Sequence, residues 1–212
     1  MNKINKAVKL SLLALSVGLF TVPELAVADT TTGSLGFSNV GVSVGNISTS
    51  LPAGKVSLGH SFGDYVAGFS GTFGSGNGLS YQNEKLGAGK LMTLAGGYLI
   101  PEVDVGYTRL GVSYGSVSTM YSGIGAEYAY PVSNRVTLTA NTQFGRDFSA
   151  SVVSPAGISG QGGLYYTGGA GVDVNGIGSG LLSVGYEYRH MPVAQSLSLD
   201  TSNFKAEYSI PF

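Results

Sequence analysis

The chain has 212 residues, a formal net charge of −1 and no cysteine. Near-neutral charge excludes a field that recruits nucleic acid, and the lack of cysteine excludes a disulfide scaffold. Charged residues make up only 11% of the chain, against roughly 25% in soluble domains, while glycine numbers 34, tyrosine 13 and phenylalanine 9.

Lys3, Lys6 and Lys9 form a basic leader, Leu10 opens an apolar run that ends at Phe20, and Ala26-Val27-Ala28 supplies small residues for cleavage. This pattern predicts a secretory signal peptide over residues 1–28, cut after Ala28, followed by one domain over 29–212. The apolar run is too short to anchor the chain as a membrane helix, and no later run is long enough to cross a bilayer. A chain of this kind enters a membrane only as a closed barrel, because lipid offers no partner to an unpaired backbone group.

Alternation with a period of two marks the strands. A first strand is predicted near 35–46, where Val40, Val42 and Val44 alternate with Gly41, Ser43 and Gly45. Pro52 and Gly54 mark the next stretch as a loop. Val56, Leu58, His60 and Phe62 give a second strand, Gly63-Asp64 a tight turn, and Tyr65 to Phe73 a third strand. The polar, glycine-rich stretch 74–89 is expected to be a long outer loop. A fourth strand carries Met92, Leu94, Gly96, Tyr98 and Ile100, with Pro101-Glu102 as a turn into a fifth near 103–116. There the alternation slips: Val103, Val105 and Tyr107 share one parity, Leu110, Val112 and Tyr114 the other. A β-bulge near Thr108-Arg109 would keep both sets outside and place Arg109 inside.

Further strands follow around Ile124 to Tyr130, Val136 to Phe144, Leu164 to Val174 and Leu182 to Tyr188. Short connections near 115–119 and 131–134, a long polar loop over 147–162, and another over 191–200 join them. In the last stretch Phe204, Ala206, Tyr208, Ile210 and Phe212 alternate with Lys205, Glu207 and Ser209. The expected fold is all-β: an up-and-down antiparallel transmembrane β-barrel of about ten strands, with eight as the alternative. Segments of this length, with short turns on one side and longer loops on the other, suit an outer-membrane barrel.

Three stretches carry a family resemblance: YSGIGAEYAYPVSNRVTLTA, LYYTGGAGVDVNGIGSGLLSVGYEYRH and FKAEYSIPF. They resemble the small outer-membrane barrels that include the membrane domain of OmpA, OmpX and Ail. The sequence departs from that family's eight strands, has no tryptophan, and has rather short predicted loops. The resemblance implies insertion by the barrel-assembly machinery, reading a carboxy-terminal signal carried by Phe204, Tyr208, Ile210 and Phe212. A monomer whose other partner is outer-membrane lipid is expected.

The candidate site is a set of charges on inward parity: Arg109, Glu127, Arg135, Asp173, Glu187, Arg189, Lys205 and Glu207. They read either as ion pairs that fill and stiffen the lumen or as the charge filter of a narrow pore. An enzyme is the less expected reading. His60 and Ser61 are adjacent and so face opposite ways, and His190, with Asp200 and Asp147 on nearby loops, has no fixed geometry. No catalytic residue, metal site or cofactor is expected, since two isolated histidines without cysteine make no transition-metal site. Aromatics near the predicted turns suggest interfacial girdles: Phe62, Tyr65, Tyr98, Tyr130 and Phe212 at one rim, Phe73, Tyr114, Tyr121 and Phe148 towards the other. A soluble β-sandwich would use the same alternation to face a core, but it would need a more charged solvent face than this sequence supplies.

Overall fold

The computed structural model describes residues 29–113, 115–153, 160–194 and 197–212. The strands are β1 (Thr30–Val44), β2 (Ile47–Phe62), β3 (Tyr65–Gly76), β4 (Leu79–Lys90), β5 (Met92–Leu94) and β6 (Gly97–Val112). They continue with β7 (Gly115–Pro131), β8 (Val136–Val153), β9 (Leu164–Ile177), β10 (Gly180–Ala194) and β11 (Leu197–Pro211). All pairings are antiparallel between chain neighbours, β1 pairs β11, and β4 pairs β6. β5 continues β4 in the same register against β6, with Gly89 opposite Glu102 and Met92 opposite Leu99. The break falls at Leu91, whose N–H donates to Asp64 O at 2.7 Å, one step beyond the pairing of Lys90 with Tyr65 of β3. The result is a closed up-and-down barrel of ten strands.

The strand count agrees with expectation, but the strands near β4 are drawn differently. Stretch 74–89 is not a loop: Asn77 and Gly78, both at positive φ, make a two-residue hairpin turn and the chain returns at once as β4. The predicted fourth strand, Met92 to Ile100, is instead β5, a turn at Ala95-Gly96 and the start of β6. Pro101-Glu102 is strand rather than turn. Pro52 likewise lies within β2, opposite Asn39 of β1. Its carbonyl faces Gly74 of β3, so its missing N–H lies on that side, and the β2–β3 ladder stops at Ala53 opposite Gly74.

The outer ends of the strands also run further than the sequence suggests. β8 continues to Val153, β10 to Ala194, and β7 begins at Gly115. The expected long outer loops are therefore mostly strand. Of the predicted loop 147–162, residues 154–159 lie outside the described residues, as do Tyr114 and residues 1–28 with the cleavage site.

One physical change along the barrel axis accounts for these extensions. Near the end where β1 begins and β11 finishes, the outer face is apolar: Leu35 and Phe37 on β1, Val103 and Val105 on β6, Phe204, Tyr208 and Ile210 on β11 are exposed. Phe37 is 83% exposed, which only a lipid environment favours. Nearer the other end the preference reverses. Val40 and Val42 on β1, Leu51 on β2, Leu110 on β6, Met191 and Val193 on β10 and Leu199 on β11 are buried inside as one apolar cluster. Outside them stand residues such as Asn39, Ser50 and Arg109. The barrel thus passes through lipid with apolar residues outside and emerges into water with apolar residues inside.

That reversal explains the slip in β6. No bulge interrupts the pairing of β6 with β4 or β7. Val103, Val105 and Tyr107 face lipid, while Leu110 on the opposite parity faces the interior. The phase of hydrophobicity shifts because the surroundings change.

Candidate functional site: a bridged lumen

Of the predicted inward charges, Glu127, Asp173, Glu187, Arg189, Lys205 and Glu207 lie inside the barrel, Glu127 2% and Asp173 1% exposed. Two do not. Arg109 is exposed on the outside of β6, because the strand carries no bulge. Arg135 is exposed in the turn before β8, with its carbonyl accepting from Asn175 N at 2.8 Å.

The lumen also holds charges that the sequence reading passed over. Lys55 on β2 donates to Glu207 Oε2 at 2.6 Å, reaching across β1, and the Ser34 and Ser57 hydroxyls donate to Oε1. Lys85 on β4 lies 2.8 Å from Asp104 and 3.6 Å from Glu102, both on β6. Glu187 joins Lys205 at 3.5 Å and Arg189 at 3.4 Å. Lys85 lies in the stretch whose polarity predicts a loop and Glu102 at the predicted turn, while Asp104 has inward parity within the predicted fifth strand. Lys55 showed inward parity but had no partner in its own hairpin. The Asn-Gly pair at 77–78 was the signal that could have recovered β4.

Arg189 makes the most consequential contact. Its Nη1 donates to Asn83 Oδ1 at 2.7 Å and to the Tyr121 hydroxyl at 3.1 Å. β10 and β4 stand opposite one another in the ring, so this side chain spans the lumen. Tyr121, expected at a girdle, is 0% exposed and inside. Its ring lies beneath the guanidinium, 5.1 Å from it, and meets Tyr165 edge-on at 5.0 Å, arrangements that favour a buried cation and aromatic pair. Thr108 and Tyr121 also donate to Asn83, while Gln143 and Tyr165 donate to Asp104. The lumen is bridged at mid-height by side chains from β4, β6, β7, β8, β9 and β10.

No protein-family model matches the sequence, and no curated protein does either. Solved structures do share its shape. The outer membrane protease OmpT from Escherichia coli superposes with a TM-score of 0.57 at 9% identity, over 87% of this chain and 96% of that one. The fold is that of an outer-membrane β-barrel. Neisserial surface protein A gives a TM-score of 0.44 at 12% identity over 86% of this chain and 97% of that one. The attachment invasion locus protein Ail of Yersinia pestis gives 0.37 at 13%, over 86% and 99%.

The histidines lie on the outer surface of this barrel. His60 Nδ1 is 3.0 Å from the Thr31 hydroxyl, whereas Ser61 faces inward and is buried. His190 Nδ1 is 2.5 Å from Asp200 Oδ1, and its ring stacks on Tyr166 at 5.0 Å. The Ser198 hydroxyl donates to Asp200 at 3.0 Å, not to the imidazole. A base must take its proton from the nucleophile it touches, and here the serine touches the carboxylate. Asp147 is buried on the inner face of the wall, opposite Tyr121. Among the described residues no group of three or more His, Asp or Glu could hold a metal ion.

Proposed function

We propose that this chain is an integral outer-membrane protein, exported behind residues 1–28 and inserted as a monomer by the assembly machinery, with a non-catalytic structural or surface-interaction role. The observation that carries the reading is the bridge from Arg189 to Asn83 on the opposite strand. A buried charge tied to groups across the lumen is costly to displace, so the interior acts as a plug and the strands extending beyond the lipid form the interacting surface. The arrangement of Ser198, Asp200 and His190 supports a role without catalysis.

A narrow passage for small polar solutes is the second reading, favoured by the acidic excess inside. Among the described residues, Glu102, Asp104, Glu127, Asp147, Asp173, Glu187 and Glu207 share the interior with four cations, Lys55, Lys85, Arg189 and Lys205. Such a passage would prefer cations.

One preparation addresses both readings. The protein is recovered from the outer-membrane fraction, its intact mass is measured, and it is assayed in a planar bilayer with Glu187→Gln and Arg189→Gln variants. The expected result is a first residue of Asp29 and a folded, heat-modifiable protein without channel activity. Reproducible openings whose ion selectivity changes in the two variants would replace the plug with the pore.

A further inference from the structure

We propose that the outer mouth of the barrel is a binding site for a small, uncharged, apolar molecule. Above the apolar cluster lies a cavity of about 340 Å³ lined by Val42, Val44, Leu79, Leu110, Val117 and Leu197, among others. Its walls come from seven strands, and no charged side chain lines it. Thr49 and Ser116 contribute the side-chain hydroxyls. The cavity is about half enclosed and open on one side. Apolar cavities of roughly 150 Å³ already take up benzene, and this one has more than twice that volume. Scaling by volume gives an occupant of roughly ten to fifteen carbon atoms, and the cavity lies within the size range of ordinary ligand sites.

The surroundings define the chemistry further. Leu51, Val40, Leu199 and Met191 are buried in the cluster that the cavity adjoins. The cations Lys85, Arg189 and Lys205 are engaged in ion pairs with acidic residues of the lumen. An ionised head group in the cavity would lose its water and gain no counter-charge, whereas a hydroxyl could bond Thr49 or Ser116. The site therefore takes hydrocarbons or long-chain alcohols in preference to fatty-acid anions. This inference rests on the apolar mouth alone and is independent of whether the lumen below conducts.

The test uses the full barrel in lipid nanodiscs with isotope-labelled valine, leucine and isoleucine methyls, titrated with 1-decanol and separately with decanoate at neutral pH. The expected result is saturable shifts and probe contacts at the methyls of Val42, Val44, Leu79, Leu110, Val117 and Leu197, with decanoate at least about tenfold weaker. Val117→Trp fills the space and abolishes these shifts while leaving the remaining spectrum in place. Leu79→Phe serves the same purpose if the tryptophan variant does not fold. Non-saturating shifts centred on lipid-facing Leu35, Val103 and Ile124 would overturn the proposal, as would unchanged binding in the filled variants. Equal binding of decanoate would overturn the assigned ligand class.

Discussion

Glu207 shows how one buried residue depends on its partners. Its carboxylate accepts from Lys55, Ser34 and Ser57, and each of the four side chains sits on β1, β2 or β11 around the seam where the barrel closes. Removing the cation leaves a buried carboxylate with two hydroxyls, a loss of about 3–5 kcal/mol, whereas neutralising both partners removes most of that penalty. Lys55→Met is therefore expected to lower the urea midpoint for unfolding strongly, and Lys55→Met with Glu207→Gln to recover most of the loss. Additive losses in the double variant would mean that the two groups do not act as a pair. This pairing was only half legible in the sequence: Glu207 and Lys55 both have inward parity, but the strands that carry them are far apart in the chain. Only ring closure brings them together.

At the scale of the element, the sequence was most readable where a strand keeps one environment. β11 shows this over Phe204 to Phe212, where each even-numbered position before the last faces lipid and each odd-numbered one from Lys205 to Ser209 is buried. It was least readable where a strand crosses from lipid to water. In β4 the outward residues Ser80, Gln82 and Glu84 and the inward residues Asn83 and Lys85 are all polar, so alternation vanishes and the strand resembles a loop. In β6 the apolar parity reverses after Tyr107, which imitates a bulge. An arginine placed along the outer face measures where that crossing occurs. Val103→Arg, at the middle of the apolar stretch, is expected to cost about 2–4 kcal/mol, and Asn39→Arg, where the outer face has turned polar, no more than about 1 kcal/mol. Urea titrations of the two variants in lipid vesicles would read the difference. Equal costs would mean that lipid reaches Asn39 and that the reversal is not a membrane boundary.

For the whole molecule, the reversal divides a continuous set of strands into a lipid-embedded barrel and a projecting head. The first is held by outward apolar surface and inward ion pairs. The second is held by an apolar core, as in a soluble β-barrel, within walls that are continuous with the first. Had the outer segments been loops, as the glycine- and serine-rich sequence suggested, their amides would meet water directly and exchange quickly. Paired strands over a buried core protect them instead. Val40, Val42 and Leu199 lie on β1 and β11, whose ladder runs as far as Val44 opposite Leu199. Hydrogen exchange of the nanodisc-embedded protein is therefore expected to show slow amides over 40–43 and 199–203, approaching those in the lipid-spanning part of the same strands. Exchange there at the rate of an unprotected peptide, with protection only below Asn39, would show that the strands end at the membrane and that no folded head stands above it. The cavity at the mouth depends on that head, so the same experiment also measures how firmly its walls are held.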